Sequence, residues 1–152
     1  MNKEIKIFKE KINKINLENT LGFSLLQENV FNFNTDKEFF ICEFINKLNK
    51  KLQFTYYPCS RSLISNEIVV ILMYNEGGTT ALSSFLAYSV KNRTLSFEDI
   101  EQYRFKVDCE NIEKSIEFQL QKIIKILQGD FNRYISTEER IFIPMYNPKD
   151  DY

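Results

Sequence analysis

Apolar residues recur with two different periods along the chain, and the change of period divides it into three parts. In the first part the apolar residues are spaced by three or four positions and share one helix face. These residues are Ile5, Phe8, Ile12 and Ile15. Lysines occupy most of the positions between them. The pattern predicts an amphipathic helix over residues 3–17, with Gly22 as a stop signal shortly after it.

Residues 23–57 are predicted to form a meander of strands, and parts of this segment show the alternation of apolar and polar residues that is typical of half-buried β-strands. Phe31 and Phe33 alternate with asparagines in a first strand. A second strand is predicted from Phe39 to Ile45 and a third from Leu52 to Tyr56. One face of these two strands is mainly apolar, with Phe40, Cys42, Phe44, Leu52, Phe54 and Tyr56.

A fourth strand is predicted over residues 67–75, which have the sequence EIVVILMYN. Its successive positions are apolar, which is typical of a strand that is buried on both faces. We therefore expect it at the centre of the sheet. Short connections between successive strands favour antiparallel pairing in chain order.

The last half of the chain is predicted to be mainly helical. Residues 82–90 fit one helix face, although the alternation of Leu86, Tyr88 and Val90 also permits a strand. We favour the helix. A short helix is predicted after Ser96, because serine often caps helix N-termini and acidic residues follow it.

The longest predicted helix extends from Asp108 to Leu127, with Asp108 as its N-cap and Gly129 as its stop. Its core stripe consists of Ile112, Ile116, Leu120, Ile123 and Leu127. Together the elements predict a single α+β domain over residues 1–152. It would have an N-terminal helix, an antiparallel meander of about four strands, and two to three C-terminal helices packed on the sheet.

Composition limits the classes of function. The 152 residues are 43% hydrophobic, which is enough for a packed core without metal or disulfides. The 20 basic and 21 acidic residues give a net charge of −1, whereas proteins that bind nucleic acid usually carry a positive excess. We therefore expect no nucleic acid as partner. The longest apolar run, Ile68–Tyr74, is too short for a membrane span, so no membrane contact is expected.

Histidine is absent, which excludes Ser-His-Asp and Cys-His catalytic sites and histidine-based metal sites. The three cysteines, Cys42, Cys59 and Cys109, form no C-x-x-C pair, so we expect neither a zinc site nor a disulfide framework. The N-terminus lacks the apolar stretch of a secretory signal. These features predict a reducing cytoplasm. Abundant Lys, Asn and Ile, whose codons are AT-rich, indicate a bacterial genome.

The glycine-rich segment Gly77-Gly78-Thr79-Thr80 follows the fourth predicted strand, where a phosphate-binding loop can lie. It lacks the Walker lysine and the G-x-G-x-x-G spacing, so we interpret it as a strand-to-helix turn with glycine at positive φ. Cys59 and Arg61 are too close in sequence for a phosphatase loop, whose backbone amides must surround the phosphate. We therefore predict no catalytic residue, no cofactor and no metal.

Acidic residues are concentrated in the last third of the chain, where residues 96–152 contain eight basic and twelve acidic side chains. One acidic cluster precedes the long helix, and three further acids share a face of that helix at spacings of three and four. A row of carboxylates forms no pocket for acid–base chemistry, but it can attract a basic partner. The predicted partner-binding residues are Glu98, Asp99, Glu101, Tyr103 as an aromatic anchor, Glu110, Glu113 and Glu117.

The order of elements resembles that of small bacterial immunity proteins from polymorphic-toxin and contact-dependent growth inhibition systems. The resemblance rests on the lysine-rich N-terminal helix, Leu21-Gly22-Phe23, the phenylalanine-rich meander, and the helix that ends in Leu127-Gln128-Gly129-Asp130-Phe131. Proteins of this class are single α+β domains that bind and block a cognate toxin. The resemblance implies a non-enzymatic cytoplasmic protein whose partner is a toxin, for example a nuclease with a basic groove.

Two other classes of function are open at this level. A small enzyme or ligand-binding domain would have a pocket near Gly77, Gly78 and Cys59, with tyrosines, Arg61 and a carboxylate converging on it. A homo-oligomeric structural protein would show a large apolar patch with two-fold complementarity. The sequence does not specify the oligomeric state.

Overall fold

The computed structural model of this chain describes residues 2–32, 38–59 and 66–146. Its helices are α1 (Lys3–Ile15), α2 (Leu17–Leu21), α3 (Leu82–Lys91), α4 (Phe97–Glu101), α5 (Ile112–Gln128) and α6 (Asn132–Ser136). Its strands are β1 (Ser24–Asn32), β2 (Glu38–Ile45), β3 (Lys51–Tyr57), β4 (Glu67–Met73), β5 (Thr79–Ala81) and β6 (Phe105–Lys106). Within these described ranges, no helix is long and apolar enough to cross a membrane.

The strands form one antiparallel sheet in the order β1-β2-β3-β4-β5, so the predicted meander is confirmed. The two short strands share the edge of β4 that faces away from β3. There β6 pairs with Glu67 and Ile68, while β5 pairs with residues 71–73. β4 is therefore central, as predicted. The helix before the sheet and the helices packed on it confirm the α+β class.

Helices α1, α2, α3, α5 and α6 pack on one face of the sheet, and this face forms the core. Alternate residues of the three central strands point into it: Phe40, Cys42, Phe44, Leu52, Phe54, Tyr56, Ile68, Val70 and Leu72. Phe8 of α1 stacks on Tyr56, with ring centroids 5.0 Å apart. Four of the five residues predicted for the stripe of the long helix are buried, and Ile112 is half-buried. The sequence period thus identifies the core-facing residues correctly.

Most of the predicted helix signals are confirmed. Residues 82–90 are helical, and the short strand β5 precedes them. Ser96 caps α4, and Gly129 occupies the C-cap position of α5. Gly22 has a φ of 74° and ends a helix, as predicted. That helix is the short α2, because α1 already ends at Asn16, which is also left-handed.

The prediction that Asp108 caps the long helix is wrong. The helix begins at Ile112, with Asn111 in the cap position. Asp108 instead accepts a hydrogen bond of 3.0 Å from the backbone N–H of Glu110. An aspartate side chain that bonds to the backbone two residues later closes a turn, so Asp108 shapes the loop before the helix.

The second face of the sheet, which we call the outer face, lies outside the core. Its aliphatic residues on the central strands are half-buried and do not belong to the core cluster: Ile41, Ile45, Val69, Ile71 and Met73. The prediction that the apolar fourth strand is buried on both faces is therefore wrong for this face. The described helices α1, α3 and α5 place their buried apolar residues in the core on the other side.

β1 forms an edge of the described sheet, and none of its residues is buried. Four large apolar side chains are between 40% and 51% exposed: Leu25, Leu26, Val30 and Phe31. A register shift between Leu25 and Gln27 marks a β-bulge. The strand predicted around Phe31 is confirmed, but its expected half-burial is not, and Phe33 lies outside the described residues.

Cys59 and Cys109 form a disulfide with their Cα atoms 5.6 Å apart, which corrects the expectation that the cysteines are unpaired. The bond joins the end of β3 to the loop between β6 and α5. Cys42, buried in the core, is the odd cysteine of the three. Because disulfides persist mainly in oxidising compartments, cysteine usage no longer supports a cytoplasmic location.

Candidate functional site

The seven predicted partner-binding residues lie on α4, on the segments around β6, and on α5. Four of them are exposed acids: Glu98, Glu110, Glu113 and Glu117. Glu101 and Tyr103 are half-buried, and Asp99 is buried. Their exposure and their partners divide them into acids that hold the fold together and acids that face solvent.

Asp99 stabilises α4. Its Oδ2 accepts a hydrogen bond of 2.9 Å from the Ser96 N–H, and the Asp99 N–H donates to the Ser96 hydroxyl, which completes a capping box. Arg93 donates two further bonds of 2.9 Å, one to each carboxylate oxygen. The bond from the Ser96 N–H, followed by those from Arg93, lowers the pKa of Asp99 to about 2. This carboxylate is engaged within its own chain.

Three more of the acids are paired with lysines of the same chain. Lys106 donates a hydrogen bond of 2.8 Å to Glu101, and this bond is the main reason that the pKa of Glu101 is lowered. Lys11 of α1 contacts Glu113 and Glu117 of α5 at 3.3 Å and 3.2 Å. The two contacts of Lys11 connect α1 to α5. All three pairs reduce the net charge of the predicted acidic face.

Glu98 and Glu110 are the two predicted acids that form no ion pair within the described part of the chain. Both are exposed, so their charges can act on an approaching basic partner. Sequence spacing could not separate them from the paired acids, because the partner of a paired acid can be distant in sequence. Lys11, for example, forms an ion pair with Glu117 from 106 positions away.

A cleft of about 490 Å³ lies beside Gly77 and Gly78. Both glycines have positive φ, at 97° and 88°, as predicted for this segment. The turn joins β4 to the short β5 rather than directly to a helix. The walls of the cleft are this turn, the first turn of α3 and the extended segment 140–145.

The cleft and Cys59 are at opposite ends of the sheet. Gly77 follows the end of β4 that pairs with Lys51, whereas Cys59 follows Tyr57 at the other end of β3. Seven residues of extended strand separate these ends by about 20 Å. The hypothesis of one pocket that combines the glycines with Cys59 is therefore wrong, and Arg61 lies outside the described residues.

Several polar groups that line the cleft form hydrogen bonds within the chain. The Tyr74 hydroxyl lies 3.0 Å from the Thr80 hydroxyl and accepts a hydrogen bond of 3.2 Å from the Ile141 N–H. Arg140 donates a bond of 2.9 Å to Glu76. Such an arrangement can shape a cavity, but among the described residues it presents no nucleophile next to a base.

A polar cluster on the outer face was not predicted from the sequence. Glu43, in the middle of β2, is only 8% exposed. Gln27 of β1 donates a hydrogen bond of 2.7 Å to its Oε2, and Gln53 of β3 donates one of 3.0 Å to its Oε1. The three residues lie side by side because both glutamines pair with Glu43 in the sheet register.

Aliphatic side chains surround this cluster. Ile41 and Ile45 flank Glu43 on the same strand, and Ile71 pairs with Gln53 on the next one. Within the described residues Glu43 forms no ion pair. The one feature of the sequence that points to this cluster is Glu43 itself, a single acid in the otherwise apolar strand segment FFICEFI. The arrangement suits recognition of another surface rather than catalysis.

In the described ranges, no group of three or more His, Cys, Asp or Glu residues could hold a metal ion. No protein-family model matches this chain, and neither a curated protein nor a solved structure matches it. The similarity to immunity proteins therefore stays a prediction that rests on the order of elements.

Proposed function

We propose that this chain is a non-enzymatic protein-binding domain, and specifically an immunity protein that binds and blocks a cognate bacterial toxin. The observation that carries the proposal is the outer face, on which Val69, Ile71 and Met73 of the central strand are only half-buried. An apolar strand face of this kind is typical of strands that another layer covers. A protein partner would supply that layer.

The outer face combines aliphatic side chains with the polar cluster of Glu43, Gln27 and Gln53. Its aliphatic residues would lose their contact with water on association, which contributes about 25 cal/mol per Å² of apolar area removed. Phe31, which is 41% exposed, stacks on Phe39 with ring centroids 5.2 Å apart and extends the apolar surface towards the β1 edge. Interface cores are enriched in aromatic residues and poor in charge.

An inhibitor of this kind acts by occlusion and needs no catalytic residue. It covers the active site or the substrate path of the toxin, and its affinity sets the degree of protection. Glu98 and Glu110 would speed the approach of a toxin with a basic groove, because exposed charges act mainly on the association rate. Tyr103 is half-buried and lies between Glu98 and Glu110 in the sequence, and it stays the predicted aromatic anchor.

The test is co-expression with the product of the reading frame immediately upstream of the gene. Induction of the upstream frame alone should arrest growth of a test bacterium, and co-expression of this protein should restore it. A Phe8→Asp variant, which places a charge in the core, serves as an unfolded control. A harmless upstream product, or arrest that this protein does not relieve, would contradict the proposal.

The proposal places the protein in the bacterial cytoplasm, where thiols are kept reduced. Protection must then persist without the Cys59–Cys109 disulfide. A variant with serine at both positions should still restore growth if its partner meets it in the cytoplasm. Loss of protection in a variant that folds would instead indicate an oxidising compartment.

The cleft beside Gly77 and Gly78 favours a second candidate function, the binding of a small molecule. Its volume of about 490 Å³ lies within the range of ligand pockets. A library of metabolites screened by thermal shift would test it. A true ligand should raise the Tm of the wild type but not that of Ser84→Tyr, which fills the cleft from α3.

A further inference from the structure

We infer that the toxin docks on the outer face of the sheet and places one basic side chain, lysine or arginine, on the carboxylate of Glu43. The inference rests on the proposed function and adds the surface and the chemistry of the partner. It differs from the acidic helix face predicted from the sequence, because most of those acids already have partners within the chain.

The first argument is that Glu43 is held in a fixed position. Two glutamine amides from the neighbouring strands donate one hydrogen bond to each of its oxygens, at 2.7 Å and 3.0 Å. The strand register supports all three side chains, so little side-chain freedom is lost when a partner binds. A group positioned in this way before binding favours affinity.

The second argument is charge. Amide donors satisfy hydrogen bonds but leave the negative charge of the carboxylate uncompensated. Within the described residues no lysine or arginine forms an ion pair with Glu43, whereas Glu28 of β1, which pairs with Cys42 in the register, is paired with Lys9 at 2.6 Å. Each carboxylate oxygen has lone pairs for a further donor. Glu43 can therefore accept a cation from outside the chain.

The third argument is what surrounds the charge. Ile41, Ile45 and Ile71 are half-buried aliphatic neighbours on the same face. A partner that covers them also removes water from Glu43. The two amide donors do not neutralise the charge of Glu43, and a carboxylate that loses water is destabilised unless a cation pairs with it, so a complementary surface would bring a lysine or arginine. The expected partner surface is thus apolar with one basic side chain at its centre.

The test measures binding of the purified, catalytically inactivated product of the upstream frame by biolayer interferometry. Glu43→Gln keeps the size of the side chain but removes its charge. One of the two neighbouring glutamines must then turn its amide, so that its oxygen accepts a hydrogen bond from the new NH2 group. The substitution should weaken affinity by about 30-fold or more, mainly through faster dissociation, because the basic residue of the partner is left buried and unpaired. Ile71→Asp should weaken binding at least as strongly.

Matched controls separate this surface from general effects of charge and exposure. Glu10→Gln removes one charge from an exposed position on α1, and Phe118→Asp places a charge on the exposed side of α5. Both should bind within about two-fold of the wild type. Circular dichroism and thermal unfolding of each variant must show native structure, so that a change in affinity reports on the interface.

The outcomes separate the inference from the proposed function. If the wild type protects cells but Glu43→Gln and Ile71→Asp bind and protect normally, the outer-face inference is wrong while the immunity function stands. If the wild type does not protect, both are wrong. Sedimentation velocity of the protein alone adds one further result. A dimer that Ile71→Asp converts to a monomer would show that a second copy covers the face, which would also overturn the inference.

Discussion

The protonation state of the Cys42 thiol depends directly on its burial. Cys42 is 1% exposed in the core between β1 and β3, and burial raises its pKa to about 12. A thiol with such a pKa is protonated at neutral pH and reacts slowly, because the thiolate is the nucleophile. Its reactivity therefore reports on whether the core is intact.

Thiol counting with an aromatic disulfide reagent at pH 8 should give three different results. The native protein should show no rapidly reacting thiol. Unfolding in guanidinium without reductant should expose the one thiol of Cys42, and reduction before unfolding should yield all three cysteines. Three thiols in the unreduced, unfolded protein would show that Cys59 and Cys109 are not bonded.

Asp99 should make stability depend on pH in the acid range. Its folded pKa is about 2, while an unfolded aspartate titrates near 3.9. The folded state therefore favours the ionised form, and this contribution is complete above about pH 4 and is lost as the pH falls through about 2. Asp99→Asn should lower Tm at pH 6 and should lose less stability than the wild type between pH 6 and pH 2.5.

The matched control for this experiment is Asp130→Asn, because Asp130 is an exposed aspartate outside α4. It should follow the pH profile of the wild type. Equal losses of Tm in Asp99→Asn and the wild type over the same pH range would contradict the role assigned to the capping box.

Sequence reasoning at the scale of residues succeeds where the partner is local. Ser96 is a cap because its partner is three residues away, and the spacing contains that information. It fails for Glu113 and Glu117, whose partner Lys11 is on another helix. It also fails for Glu43, because both of its donors are brought to it by the register of separate strands.

At the scale of elements, Lys50 holds the C-terminal segment against the sheet. It lies just before β3, is 4% exposed, and donates hydrogen bonds to the backbone carbonyls of Tyr134 and Thr137 and, at 3.2 Å, of Glu139. Its ammonium also lies 5.7 Å from the centre of the Tyr74 ring. One side chain thus caps α6 and fixes the segment that closes the cleft.

Lys50→Met should lower the free energy of unfolding by about 1–3 kcal/mol, because it leaves three backbone carbonyls without their donor while keeping the aliphatic stem. Hydrogen exchange should accelerate in residues 137–141 before other regions change. Lys47→Met, at an exposed position of the same turn, is the control and should leave both measurements unchanged. If hydrogen exchange in residues 137–141 of Lys50→Met is no faster than in Lys47→Met, Lys50 does not hold this segment in place.

The disulfide connects two elements that are 50 residues apart in sequence. The chain-entropy model gives about 4 kcal/mol for a closed loop of this length, since the bond restricts the unfolded chain. Replacing Cys59 and Cys109 with serine should lower the free energy of unfolding by about this amount, which is measured from the urea midpoint and the m-value. Reductant should lower the wild-type midpoint to that of the variant. A midpoint insensitive to reductant would contradict this.

Elements were predicted well where a period extends over several turns or strand residues. α1, the central strands and the body of α5 follow from spacing alone. The start of α5 does not, because Asp108 has two local uses, a helix cap or a turn, and the sequence does not decide between them. The disulfide was missed because an odd cysteine count conceals a pair when the third cysteine is buried.

At the scale of the whole molecule, the unpaired acids should steer association rather than hold the complex. The double substitution Glu98→Lys and Glu110→Lys should slow association with a basic toxin by about 10-fold and leave dissociation within about two-fold. Stopped-flow measurements over a range of salt should show that the wild-type association rate falls with ionic strength and that of the variant does not. An unchanged association rate would remove these acids from the encounter.

The apolar sequence of β4 also shows what a single chain leaves undetermined. Its pattern correctly predicts a central strand, and it also indicates a cover on both faces. The sequence cannot tell whether the second cover comes from the same chain or from another one. Val69, Ile71 and Met73 are therefore correctly predicted to favour burial, but in the described part of the chain they are only half-buried and lie outside the core cluster.

The edge strand β1 has a consequence for the protein in concentrated solution. It offers nine residues of backbone, of which Glu28 is the one charged residue, with no proline or lysine to block pairing by another copy. The bulge near Leu26 distorts one end and leaves residues 27–32 in regular register. Such edges initiate strand-to-strand assembly. Val30→Lys should therefore improve the yield and shelf life of the protein more than a substitution that only raises its global stability.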